Sequence, residues 1–284
     1  MSVTRFASAL APTDAPADLL RRRYGAAQSA DTSNWNSALE SILSHRSVRN
    51  YLPQPVPDGL LHLAVAAAQS APTSSGLQAW SVVAVEDPER RAKLAELAGP
   101  NPQILSAPLF LVWLADLSRL RKIATERDKS GDGLDYFESF LLASVDAALA
   151  AQNALVALES LGLGTCYIGG IRNHPAEVGE VLGLPPESFA VFGMTVGYPD
   201  PTVETEIKPR LPQQLVLHRE RYQPQTSEAE LSAYDERMAA FQTGQGMPPR
   251  GWTNVVASRI ADVAALKGRD ALIQVVRRMG FKVK

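Results

Sequence analysis

The stretch Tyr136–Leu161, YFESFLLASVDAALAAQNALVALESL, decides how this chain folds. It is helix-forming throughout, rich in Ala and Leu, and carries few charges on any face, so it predicts one long helix buried on most sides. Gly162 and Gly164 supply its C-terminal stop. Around this spine, Ala79–Val85, Leu109–Ala115 and Phe189–Tyr198 read as core strands, the first two separated by a helix over Pro88–Ala98. Upstream, Leu39, Ile42 and Leu43 recur at helical spacing within Ser37–His45, with Asn36 or Ser37 as N-cap. Asp58 is placed to cap a helix running through Ala68 and ending near Ala71-Pro72. Downstream, Asn173-His174 announces a short helix over Pro175–Leu182, and Glu228–Phe241, Thr253–Ala265 and Arg269–Met279 read as further helices. Strands and helices do not alternate regularly, which favours an α+β layered fold over a doubly wound parallel sheet.

Three segments are expected. Residues 1–35, rich in Ala, Ser, Thr, Asp and Pro with one helical stretch around Asp18–Tyr24, read as an N-terminal arm. Residues 36–225 form the core, and residues 226–284 a helical C-terminal extension.

The composition excludes several classes of function. With 45% hydrophobic and 20% charged residues and a net charge of -2, the chain offers no global attraction to nucleic acid or anionic lipid. No stretch is expected to span a membrane, and the N-terminus lacks the charged and apolar regions of a secretory signal, so a soluble, cytoplasmic protein is expected. The single cysteine, Cys166, permits neither an intramolecular disulfide nor a cysteine-cluster metal site, and reads as a small core residue. His62 and His174 lack partners at metal-ligand spacing, and no HExxH, CxxC, Walker A, GxSxG or Rossmann GxGxxG pattern is present.

Four polar clusters remain. His45-Arg46-Ser47-Val48-Arg49 puts two guanidinium groups, a hydroxyl and an imidazole at a helix end, which suits an anion, although a solvated basic turn has the same composition. Thr73-Ser74-Ser75-Gly76-Leu77-Gln78 offers hydroxyls, an amide and bare backbone to a heterocyclic edge, and reads equally as a Ser-rich linker. Tyr167-Ile168-Gly169-Gly170-Ile171-Arg172-Asn173 has adjacent glycines that allow close approach of a ligand or make a tight turn. Lys208-Pro209-Arg210 holds two cations on a stiffened backbone.

Taken in this order, the clusters resemble the oxygen-insensitive NAD(P)H nitroreductase and flavin reductase family, in particular its NADPH-preferring branch with a C-terminal extension. The resemblance runs from about Trp35 to the C-terminus, with its best blocks at His45–Arg49, Ala71–Gln78, Leu161–Asn173 and from Gly197 through Lys208-Pro209-Arg210-Leu211-Pro212 to Tyr222. It implies an α+β nitroreductase-like fold with a mostly antiparallel central sheet, an entwined homodimer, and FMN bound noncovalently at the subunit interface. His45, Arg46, Ser47 and Arg49 with Lys208 and Arg210 would then hold the FMN phosphate and the pyrimidine edge of the ring, Arg49 acting as electrostatic stabiliser. Thr73, Ser74, Ser75 and Gln78 would line the cofactor from the partner subunit, and Tyr167, Ile168, Gly169 and Gly170 would supply backbone donors near the ring.

The implied reaction is a ping-pong transfer of hydride from NADPH or NADH to the flavin, and then of electrons to nitroaromatic, quinone or free flavin acceptors, with no side-chain acid or base required. Two stretches depart from the family pattern. Where relatives carry Gly-Asn-Gln, this chain reads Gly99-Pro100-Asn101-Pro102-Gln103, so the flavin contact implied there either falls on Asn101 or is lost. Where NADPH-preferring relatives place a basic residue after a Thr, Thr243 is followed by Gly244-Gln245-Gly246, with Arg250 nearby. Two other readings are compatible with these residues: a dedicated flavin reductase or tailoring oxidoreductase serving a partner pathway, and a catalytically silent nucleotide- or anion-binding protein.

Overall fold

A run of alanines on the inner side of the long helix lets it lie close against a sheet, and the larger part of the molecule is arranged around that contact. The computed structural model describes residues 15–25, 31–224 and 227–284; residues 1–14 and 26–30 of the expected N-terminal arm lie outside the described residues. In chain order the elements begin with α1 (Pro16–Tyr24), α2 (Ser37–Leu43), α3 (Asp58–Gln69), β1 (Trp80–Val85), α4 (Pro88–Ala98), α5 (Gln103–Ser106), β2 (Leu109–Asp116) and α6 (Ser118–Glu126). They continue with α7 (Phe137–Ser160), β3 (Gly164–Ile168), α8 (Pro175–Leu182), β4 (Ser188–Gly197), α9 (Glu228–Gly244), α10 (Gly251–Arg259) and α11 (Leu272–Arg278). The chain divides into two units, one made of Ser47–Asp200 with Lys267–Lys284, the other of the described residues up to Arg46 with Pro201–Leu266.

In the larger unit the four strands run in the order β1-β2-β4-β3, every neighbouring pair antiparallel. Trp80 pairs with Ala115 and Val85 with Phe110, while β2 and β4 shift register by one residue between Trp113 and Leu114. Ala143, Ala147, Ala150, Ala151 and Ala154 of α7 are fully buried, and the last four share a core with Trp80, Leu109, Leu111, Trp113, Met194 and Val196. Such small side chains bring the helix near enough for the large residues of the strands to fill the interface. α7 is the central spine, as expected, but it is not buried on most sides. Phe137, Leu141, Val145 and Leu149 are each 40–50% exposed and recur every fourth residue, so the chain leaves an apolar stripe along the outer face. By length and hydropathy α7 also reaches membrane-spanning range, contrary to expectation, although its alanine side is a sheet-packed core face.

The strand β3 was not expected from sequence. Only five residues long, it is made by pairing: Cys166 lies opposite Thr195 of β4, and Val48 donates its N–H to the Thr165 carbonyl at 2.9 Å. A Cβ on Gly164 would lie 2.6 Å from Val48 Cγ2, so this position needs glycine to let the two segments meet. Cys166 is buried in the core formed with Phe110, Ile168 and Ala190. Asp58 does not cap α3; the N-cap is Pro57, and Asp58 is the first helical residue, where its charge faces the positive end of the helix dipole. Asn36 does cap α2, accepting from the backbone N–H groups of Ala38 and Leu39 at 3.1 Å each. Toward the C-terminus, α10 begins earlier than the expected helix because Asp235 of α9 accepts the N–H groups of Trp252 at 2.6 Å and Thr253 at 2.8 Å, fixing its first turn, and it ends earlier, at Arg259.

The C-terminal residues return to the start of α7. Asp135, 1% exposed, accepts from Arg121 Nη2 at 2.8 Å, Lys282 Nζ at 2.9 Å and Lys284 Nζ at 3.0 Å, and Arg121 also pairs with Glu187 at 2.6 Å. The Lys282 and Lys284 ammonium groups, with Arg121, hold the Asp135 carboxyl well below the usual carboxylate range. A depressed folded-state pKa contributes stability that is present above the unfolded value, near 3.9, and is lost as the pH falls toward the folded value. Asp135→Asn is therefore expected to lower the denaturation midpoint at pH 7, and the gap to the parent should shrink below about pH 4; urea melts across that range give the comparison.

Candidate functional site

The expected site residues fall in both units. In the larger one, Thr73–Gln78 forms a short loop between α3 and β1, and a single buried carboxylate sets its shape. Asp146, 2% exposed on the inner side of α7, accepts the Ser74 N–H and the Ala79 N–H at 3.1 Å each, one on either oxygen. Both ends of the loop are pinned to one side chain. Between them Ser75 and Gln78 adopt left-handed backbone, each with φ 50°, a conformation that a non-glycine residue holds only where its surroundings enforce it. Ser74, Ser75 and Gln78 are exposed and Thr73 half-buried, so the loop offers hydroxyls and an amide outward while its backbone is tied inward.

Ser47 and Arg49 flank the buried Val48. Ser47 forms a parallel bridge with Thr165, and the exposed Arg49 reaches back to the Ser47 carbonyl at 3.5 Å. Tyr51, behind them, donates its hydroxyl to the Val48 carbonyl at 2.6 Å and lies 2.8 Å from Thr195 Oγ1; burial pushes its phenol pKa up, so it stays protonated.

The diglycine turn follows β3, and the two glycines have different reasons. A Cβ on Gly170 would lie 2.3 Å from the Ala98 carbonyl oxygen, so that position is glycine because the end of α4 abuts it. Gly169 has no such obstruction, its nearest neighbour being Arg172 Nη2 at 3.5 Å. Asn101 and Asn173 both donate to the Ala98 carbonyl at 3.0 Å, and Gln103 donates to Asn101 Oδ1 at 3.3 Å, so the Asn101 side chain braces the turn. Arg269, absent from the sequence-based site, donates to the Gly169 carbonyl at 3.0 Å and to Asn173 Oδ1 at 2.8 Å. Tyr167 is 37% exposed, its hydroxyl 3.4 Å from Gln152 Oε1, and Ile168 is buried.

In the smaller unit the structure joins two expected clusters that stand far apart in sequence. The Arg23 guanidinium donates to the His45 carbonyl at 2.9 Å through Nη2 and to the Lys208 carbonyl at 2.9 Å through Nη1. Arg46, Lys208 and Arg210 are exposed, and His45 is half-buried. Arg210 also lines a cavity of about 360 Å³ with Tyr24, Leu211, Gln213, Val216, Tyr234 and Trp252. Arg23, Asp146 and Arg269 were missed by sequence reading. Only Asp146 left a signal there, as the lone charge in the interior of an otherwise apolar spine.

Comparison with known proteins gives a consistent picture. The pattern described as "Nitroreductase family" matches residues 42–198, and that described as "Nitroreductase family, C-terminal domain" matches residues 208–284. An FMN reductase of Bacillus subtilis strain 168, named for NAD(P)H, is 38% identical over 254 residues, covering 88% of this chain and 99% of the relative. An oxygen-insensitive NADPH nitroreductase of Salmonella typhimurium is 35% identical over 246 residues, covering 87% and 98%. Among solved structures, NfrA1 of B. megaterium is 40% identical with a TM-score of 0.81, covering 87% of this chain and 100% of that one.

The Asp146 contacts generate a direct test. Replacing it by Ala leaves the buried Ala79 N–H without its partner, a loss of about 1–3 kcal/mol, which should appear in urea denaturation. Hydrogen exchange at the Ala79 amide should accelerate in the variant, while amides in the middle of β2 should follow only the global loss of stability.

Proposed function

The chain belongs to the nitroreductase family, and we propose that it is an FMN-dependent oxidoreductase that takes hydride from NADPH or NADH and passes electrons to nitroaromatic, quinone or flavin acceptors. The observation that best supports this beyond the family is the cation cluster of the smaller unit, where backbones are held and cationic ends are exposed. A phosphate monoester is close to a dianion at neutral pH, and two guanidinium groups, an ammonium and an imidazole suit it in charge and in donor geometry. The residues present therefore fit the phosphate of FMN.

On this reading His45, Arg46, Lys208 and Arg210 receive the phosphate, with Ser47 adding a hydroxyl donor. Arg49 supplies a fixed positive charge at the pyrimidine edge, where it stabilises the electron-rich form. Thr73, Ser74, Ser75 and Gln78 border the cofactor, Tyr167, Ile168, Gly169 and Gly170 run beside the ring, and Asn101 supports that turn. When bound, FMN supplies the hydride-accepting and electron-donating chemistry, so no side chain is assigned as nucleophile or base. What the chain contributes is positioning, with one face left open to flat donors and acceptors in turn.

The same proposal includes a cytoplasmic homodimer in which Thr73–Gln78 serves the partner subunit's cofactor. The apolar stripe Phe137, Leu141, Val145 and Leu149 supports it, since a second copy would remove from water a row of side chains that the single chain leaves exposed. The segments expected from sequence, an arm over 1–35, a core over 36–225 and an extension over 226–284, are retained as part of this reading.

Purified protein should be yellow, bleach on anaerobic addition of NADPH or NADH, and recover its colour on addition of a quinone or nitroaromatic; a chain that remains colourless after incubation with FMN contradicts the reading. Arg49→Ala and Lys208→Ala should each lower FMN retention on dialysis, on the order of tenfold in affinity for a charge-assisted contact. Leu141→Glu combined with Val145→Glu should shift the mass measured by light scattering from dimer to monomer and release the flavin. A monomer that keeps its flavin would refute the interface.

A further inference from the structure

We infer that Arg23 is a positioning residue for the phosphate of the flavin, and that helix α1 is a working part of the cofactor site. The inference rests on the assignment of His45, Lys208 and Arg210 to that phosphate. α1 lies outside both family matches, which begin at residue 42 and at residue 208, so its role is not carried over from the family pattern. Its own sequence makes it a docked element. Pro16 opens the helix, Gly25 closes it with φ 84°, and Leu19 and Leu20 are buried.

Arg23 is 5% exposed, and its guanidinium meets three carbonyls on two segments. Nη2 donates to Leu43 at 2.8 Å and to His45 at 2.9 Å, and Nη1 donates to Lys208 at 2.9 Å. Leu43 is the last residue of α2, whose final turn has no basic residue of its own, so Arg23 supplies the cation that the negative end of that helix favours. The backbone adds a second tie, because the Arg210 N–H donates to the Arg23 carbonyl at 2.8 Å.

Tyr234 completes the hold by donating its hydroxyl to the Pro209 carbonyl at 3.2 Å. Lys208, Pro209 and Arg210 are thus each fixed at the backbone, two of them by Arg23, while the same guanidinium fixes the residue just before Arg46. The exposed cationic ends then project from backbones of set separation, and an anion bound between them loses less to ordering than it would between two mobile loops. Arginine suits this position best, since its planar fork reaches three acceptors on two segments at once, whereas an ammonium would reach fewer of them.

The test compares FMN with riboflavin, which lacks the phosphate, as ligands of the full-length protein stripped of flavin, following quenching of flavin fluorescence. Arg23→Met is expected to weaken FMN binding on the order of tenfold while riboflavin affinity stays within about twofold, and Arg23→Lys should recover part of the difference. An equal loss for both ligands, as a general weakening of the fold would give, overturns the inference, and so does no loss for either.

Lys208→Ala distinguishes a failure of the phosphate assignment from a failure of the role of Arg23. If it leaves the FMN-to-riboflavin ratio unchanged, the phosphate assignment itself fails and the inference goes with it. If it lowers the ratio and Arg23→Met does not, Arg23 alone is excluded. Should Arg23→Met fail to fold, Tyr234→Phe decides, because loss of its bond to Pro209 should lower the same ratio by a smaller factor, and an unchanged ratio counts against the proposal.

Discussion

The larger unit depends on how close α7 can come to the sheet, and that distance is set by its alanines. With Ala147, Ala150, Ala151 and Ala154 on the inner face, the backbone approaches the strands directly, and Trp80, Trp113 and Met194 complete the interface from the other side. Asp146 is the exception on that face. A carboxylate so deeply placed is tolerable only when its oxygens are satisfied, and the two N–H groups at the ends of the Thr73–Gln78 loop satisfy them. The same helix that anchors the core therefore dictates the conformation of a loop whose outward face carries three exposed polar side chains.

Buried charge does comparable work in the smaller unit. Arg23 is held by carbonyl oxygens from two segments, which one guanidinium ties together. In each unit the side chain that organises the polar surface is itself hidden, and exposed polar residues are carried on the backbones it holds.

Much of the fold was legible in the sequence. α4, α7, α8 and the strands β1, β2 and β4 are long or strongly patterned, and they lie within a few residues of where periodicity and caps put them. β3 was not legible, because five residues flanked by glycines carry no periodic signal, and the strand exists through its pairing with β4 and its contact with Val48. The outer face of α7 was misjudged for a related reason: an apolar surface reads the same whether its cover comes from this chain or from elsewhere. Among the glycines of the expected site, Gly170 answers to the Ala98 carbonyl, a demand that no local pattern announces.

By itself the sequence determined the helical spine, the layered class and the four polar clusters whose order marks the family, since each follows from local composition, spacing or count. The tertiary structure decided which backbones those clusters share. That His45 and Lys208 meet on Arg23, that Ser74 and Ala79 meet on Asp146, and that Gly169 is held by Arg269 are contacts between residues 22 to 185 positions apart. A hydrogen bond leaves no trace in a one-dimensional pattern when its partners are brought together only by the packing of everything between them.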